Sequence, residues 1–121
     1  MPVSVRLGLD LVAVEQVAAA LATHGDRYLR RVYTPREVAD CAGDATRLAA
    51  RFAAKEATRK TLGIRDEGVG WSSVEVRLDG GAPTIVLSGR AAELARDAGL
   101  SDFAVSLTHE AGLAAAVVLA S

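Results

Sequence analysis

Between Arg51 and Gly63 the chain runs Arg-Phe-Ala-Ala-Lys-Glu-Ala-Thr-Arg-Lys-Thr-Leu-Gly, a stretch that should be helical yet carries charge where a helix should be apolar. Residues 46–62 are mostly Ala, Leu, Arg, Lys and Thr, without Pro or internal Gly, and Gly63 suits the left-handed position that closes a helix. At about 100° per residue, Arg47, Arg51, Lys55 and Thr58 gather on one sector, expected to be solvated, while Leu48, Ala49, Phe52, Ala53 and Ala57 mark the apolar side. Glu56 falls inside that apolar stripe, and Lys60 follows one turn later. A carboxylate carried toward a core needs a cation, a hydrogen-bond network or a metal. An i,i+4 pair with Lys60 on a half-exposed edge is the plain solution, at about a few tenths of a kcal/mol.

A second acid sits oddly near the N-terminus. Val3, Val5, Leu7, Leu9 and Leu11 alternate with Ser4, Arg6, Gly8 and Asp10, which predicts a half-buried strand with the apolar set inward. Asp10 then belongs to the polar face near the strand's end, and Gly8 clears that face for a ligand or another backbone. Capping the following helix is the ordinary alternative for Asp10. Two carboxylates on separate elements are hard oxygen ligands of the kind Mg²⁺ takes together with substrate phosphates, and Lys60, Lys55 and Arg51 would suit a diphosphate.

At 121 residues the chain is expected to be one domain, 1–121, and its net charge of −1 gives no general attraction to nucleic acid or to a membrane. Cys41 has no partner for an internal disulfide, the first residues lack a signal-peptide pattern, and no apolar run approaches the roughly 18 residues that span a bilayer. A cytoplasmic location follows as the expectation. No Walker loop, zinc pattern, nucleophile elbow or dinucleotide fingerprint is present.

Apolar spacing predicts a first helix over residues 14–23, ending at His24, a solvated or capping residue. The segment Arg27-Tyr28-Leu29-Arg30-Arg31 is a local basic cluster, either a solvated face or a docking site for an acidic partner. Thr34-Pro35-Arg36-Glu37 is a capping box that starts a short helix to about Cys41. Residues 63–70, rich in glycine and including Asp66 and Glu67, suggest a mobile loop, a ligand flap or a mere connection. A hairpin over 74–78 and 84–87 follows, with Trp71 as an anchor at its mouth, then a helix over 90–98 after Ser88. The last strands, 103–107 and 113–119, flank a turn at 108–112 that exposes His109 and Glu110, with 113–120 reading as a buried strand. This order predicts an α+β fold with a largely antiparallel sheet packed with helices.

Four segments together resemble the holo-[acyl-carrier-protein] synthases, the short bacterial class of 4′-phosphopantetheinyl transferase: Gly8-Leu9-Asp10-Leu11-Val12; residues 28–34 with Glu37; residues 48–57 with Lys60 and Gly63; and Val105-Ser106-Leu107-Thr108-His109-Glu110. The resemblance implies that family's fold and the transfer of 4′-phosphopantetheine from coenzyme A to a serine of an apo acyl carrier protein. It places Asp10 and Glu56 at Mg²⁺-ligand positions and makes Asp10, Glu56 and Lys60 the catalytic set. Arg51, Lys60, Gly63, Ser106 and His109 fall at coenzyme-binding positions, with Arg51 suited to a 3′-phosphate. It also implies a homotrimer with the site between subunits. Gln16 and His24 stand where relatives commonly carry basic residues that grip the carrier protein, so Arg27, Arg30 and Arg31 are the expected substitutes. Ala50 stands where relatives often have Gly.

Two other readings stay open on the residues alone. A non-catalytic coenzyme A or nucleotide-binding module of the same fold would hold phosphates without transfer. A purely structural oligomerisation domain would do neither.

Overall fold

The structure is a computed structural model that describes residues 4–65 and 68–121; Val3 of the first strand and Asp66 and Glu67 of the expected flap lie outside the described residues. Its elements are β1 (Arg6–Ala13), α1 (Val14–His24), α2 (Asp26–Val32), α3 (Pro35–Cys41), α4 (Ala45–Thr61), β2 (Val74–Arg77), β3 (Thr84–Leu87), α5 (Gly89–Asp97), β4 (Phe103–Glu110) and β5 (Leu113–Ala120). A single 3₁₀ turn, Trp71–Ser73, precedes β2. All strand pairs are antiparallel, in a sheet ordered β1-β5-β4 and a separate hairpin of β2 and β3. The α+β expectation holds, as two sheets rather than one.

Helix α4 lies against the larger sheet, and small residues let it come close. Ala49, Ala53, Ala54 and Ala57 of the helix and Ala114 and Ala116 of β5 are all buried in one cluster with Val12, Leu48 and Val118. Gly8 goes furthest: a Cβ there would stand 2.7 Å from the carbonyl carbon of Ala57 and closer still to its oxygen. The backbone approach for which that glycine makes room is thus to α4. Asp44 caps the helix by accepting from the Arg47 N–H at 3.0 Å. At its other end Gly63 adopts φ +69°, and the Ile64 N–H reaches back to the Arg59 carbonyl at 3.0 Å.

One face assignment reverses and another is incomplete. On α4, Leu48, Ala49, Ala53 and Ala57 are buried as expected and Phe52 packs half-buried against the same cluster, but Arg51, Lys55 and Thr58 of the polar sector are buried too, and Glu56 is only half-buried. Periodicity misled because the buried polar side chains find partners inside: Thr58 Oγ1 donates to the Ala54 carbonyl at 2.8 Å, and Lys55 forms an ion pair with Glu37. On β1, the helix takes the Arg6, Gly8, Asp10, Val12 side, while Leu7, Leu9 and Leu11 are 67%, 66% and 63% exposed. Leu113, Val117 and Leu119 of β5 continue that bare apolar face, so the run 113–120 is buried only at alternate residues.

Other boundaries also move. The Arg27–Arg31 cluster forms its own helix, α2, which short length and mixed polarity hide from pattern reading. Asp10 lies within β1 and caps nothing; the residue at the start of α1 is Ala13. Thr108, His109 and Glu110 belong to β4, and the turn is only Ala111 and Gly112, at φ +51° and +77°. The α3 capping box forms as expected, with Glu37 N donating to Thr34 Oγ1 at 3.2 Å and Thr34 N to Glu37 Oε1 at 2.9 Å.

Candidate functional site

Helix α4 and strand β1 bring Asp10, Glu56 and Lys60 together. Asp10 comes off β1 on the face that meets α4, and Lys60 leaves the last turn of the helix beside it. Lys60 Nζ donates to the Leu9 carbonyl at 2.8 Å and to Asp10 Oδ1 at 3.2 Å. Arg6 adds a tie from the same strand to the Thr61 carbonyl at 3.1 Å. The Lys60 side chain is 52% exposed and that of Asp10 16%, so their ion pair contributes little to stability. An ammonium has three donors, and these two bonds leave capacity for a ligand.

Glu56 stands close enough to Asp10 to feel its charge. Partial burial first, then the Asp10 carboxylate, raise the Glu56 carboxyl above its ordinary value, with Arg59 and Lys60 pulling it back. Two half-buried carboxylates that repel one another form an unfavourable arrangement until a cation lies between them. Among the described residues no group of three or more His, Cys, Asp and Glu could hold a metal. An ion here would rest on two carboxylates, a set too small for structural zinc but suited to Mg²⁺, which keeps waters and takes substrate phosphates as its other ligands.

The remaining predicted residues do not join this group. Arg51 is 3% exposed on another side of α4, bordering a cavity of about 330 Å³ with Asp40, Arg47 and Leu78. Its buried Nε meets no hydrogen-bond acceptor among the described residues. Gly63 borders a cavity of about 500 Å³ beyond the end of α4, whose wall includes Arg65, Arg90 and Leu94. Ser106 is exposed on the bare sheet face, opposite Val117. His109 is exposed on the opposite, helix-facing side of β4, two residues beyond Leu107, which shares Ala116 as a pairing partner with Asp10. Two strand spacings and two residues put it roughly 12 Å from Asp10.

Lys55, read from the sequence as suited to a diphosphate, is instead fully buried behind the site as the partner of Glu37, a pairing the sequence did not announce, and burial outweighs the Glu37 charge in lowering the lysine's proton affinity. Arg59 is buried against Trp71, 4.3 Å from the ring centroid, and Phe52 packs on the same ring at 5.1 Å. Trp71 is therefore an anchor, as its position suggested. The capping box was the one local signal for Glu37; nothing local announced that Lys55 would reach it.

The chain matches the family model of the 4′-phosphopantetheinyl transferase superfamily over residues 6–118. It is 46% identical over 119 residues to the holo-[acyl-carrier-protein] synthase of Anaeromyxobacter dehalogenans, covering 93% of this chain and 92% of that protein. For the corresponding Moorella thermoacetica protein the identity is 42% over 116 residues, with 93% and 90% covered. Among solved structures it superposes on Helicobacter pylori holo-[acyl-carrier-protein] synthase in complex with coenzyme A with a TM-score of 0.85 at 26% identity, covering 95% and 99% of the two chains.

Proposed function

The chain belongs to the 4′-phosphopantetheinyl transferase superfamily, and from that premise we infer that it moves 4′-phosphopantetheine from coenzyme A to a serine of an apo acyl carrier protein. The observation that carries the assignment of residues is the meeting of Asp10, Glu56 and Lys60 at the junction of β1 and α4.

In this reading the serine oxygen forms a bond to the phosphorus of the phosphopantetheine arm. The bond from that phosphorus to the oxygen bridging the diphosphate breaks, and adenosine 3′,5′-bisphosphate leaves. Asp10 and Glu56 would hold Mg²⁺, which when bound neutralises the diphosphate. Lys60, anchored by the Leu9 carbonyl, steadies charge on the departing bisphosphate. The serine's proton needs an acceptor, and either a bound water or Glu56 itself would take it.

Arg51 opens on a separate cavity, so one chain does not supply every predicted coenzyme contact. We place the coenzyme between copies, with Arg51 of a neighbouring copy at the 3′-phosphate, and with Gly63, Ser106 and His109 lining the approach. The bare face of Leu7, Leu9, Leu11, Val117 and Leu119 supports a self-association of that kind, as a homotrimer. For the carrier protein, acidic by this reading, α2 offers Arg27, Arg30 and Arg31 beside exposed Gln16 and His24. The described helices include none long and apolar enough to cross a membrane, and we place the reaction in the cytoplasm.

Incubation with coenzyme A, Mg²⁺ and an apo carrier protein tests the reading. Transfer adds one phosphopantetheine mass to the carrier; a carrier left unchanged while coenzyme A binds would make the chain a binding module.

A further inference from the structure

One buried ion pair takes no part in the chemistry above. The Lys55 and Glu37 side chains are each 0% exposed. Lys55 Nζ donates to Glu37 Oε1 at 2.6 Å and to the Val74 carbonyl at 2.5 Å, with the Tyr33 ring 5.9 Å away. Glu37 Oε1 also accepts from the Thr34 N–H at 2.9 Å, and Oε2 from the Val76 N–H at 2.8 Å. The start of α3, the middle of α4 and the start of β2 thus meet at one pair of charges. One turn later Arg59 donates to the Val69 carbonyl at 2.8 Å and stacks on Trp71. The two carbonyls lie on one segment running antiparallel to the helix, and Glu56 is carried on α4 between the two cations.

Stability alone does not account for this arrangement, because a buried ion pair is often no better than two apolar side chains of the same volume. Directional bonds add something that apolar packing lacks, a fixed rotation of the helix about its own axis. A group about 5–6 Å from the axis moves roughly 1 Å for each 10° of rotation. Ligand sites tolerate about half of that.

We propose that Lys55, held by Glu37 and the Val74 carbonyl, is a positioning residue that sets the rotation of α4 and thereby aims the Glu56 carboxylate at Asp10. The inference rests on the two-carboxylate metal site proposed above. It acts through Glu56, so its signature is a weakened metal site in a chain that remains folded.

The variant Glu37→Gln/Lys55→Met removes both charges together, and the new amide oxygen can keep one of the two backbone donors, the Thr34 N–H or the Val76 N–H. Mn²⁺ serves as the probe, with binding read from loss of its free paramagnetic resonance signal in the presence of coenzyme A, alongside thermal unfolding. The expected result is a double variant that unfolds near the parent temperature but needs about tenfold more Mn²⁺ for half-saturation, the size of effect seen when a partner behind a metal ligand is removed. Parent-like Mn²⁺ affinity in the folded double variant would overturn the positioning role and leave the metal site intact. A parent chain that binds no Mn²⁺ would overturn the metal site and the inference with it. If the double variant does not fold, Glu37→Gln alone, which leaves Lys55 its bond to the Val74 carbonyl and strands no carboxylate, carries the same two outcomes.

Discussion

Gly8→Ala is the substitution that joins fold to site most tightly. Its added methyl would sit 2.7 Å from the Ala57 carbonyl carbon, nearer to the oxygen, and 3.1 Å from Thr61 Cγ2. Carbon atoms settle at about 3.5–4.0 Å, and the obstacle is helix backbone rather than a flexible side-chain tip, so β1 and α4 must separate by roughly 1 Å. Overpacking of that kind costs about 1–3 kcal/mol. In a chain of this length it would lower the melting temperature by roughly 4–12 °C. The larger effect falls on transfer. Separation lengthens the 2.8 Å bond from Lys60 to the Leu9 carbonyl and carries Asp10 away from Glu56, and a misplacement of about 1 Å can cost on the order of a hundredfold in rate. Thermal unfolding and the rate of carrier-protein modification measure both. A Gly8→Ala chain with parent melting temperature and parent rate would refute the claim that bare backbone contact sets the distance between the two acids.

Asp10→Ala and Glu56→Ala should each abolish transfer while circular dichroism stays unchanged; near-parent rates in either would remove that residue from the metal site. Lys55→Met alone should cost about 3–5 kcal/mol in denaturant unfolding, because it strands a buried Glu37 carboxylate. A loss under about 1 kcal/mol would show that water reaches the pair. The raised Glu56 carboxyl gives stability that is full below its ordinary value of 4.5 and is lost as pH rises through its folded value. In metal-free buffer the melting temperature of Glu56→Gln should therefore gain on the parent as pH rises above 4.5, modestly because the group is half-exposed; a constant gap would contradict the shift. Reversing charge at Arg30 or Arg31 should raise KM for the carrier protein more than for coenzyme A, and equal effects on both would refute docking at α2.

Much of this was legible from the chain alone. The helix around Glu56, the Thr34 capping box, the final pair of strands and the two misplaced acids all announce themselves through local patterns, and the structure brings Asp10 and Glu56 together. What periodicity does not reveal is which face of an amphipathic element its own domain covers. Leu7, Leu9 and Leu11 alternate as a buried set would, yet α4 packs on the Gly8 side because only there can its backbone approach. Lys55 looked solvated because its partner, Glu37, lies 18 residues away and no local rule links the two. Ser106 and His109 came from resemblance and Arg51 from its charge on the helix as well, and one chain does not bring them to Asp10 and Glu56.

Crystals grown with coenzyme A and Mn²⁺, with the ion located by its anomalous scattering, would test the central claim most directly. The account predicts one peak roughly 2.0–2.3 Å from a carboxylate oxygen of Asp10 and from one of Glu56, with a diphosphate oxygen completing the contact. A diphosphate bound with its ion elsewhere, or held without either carboxylate, would contradict it.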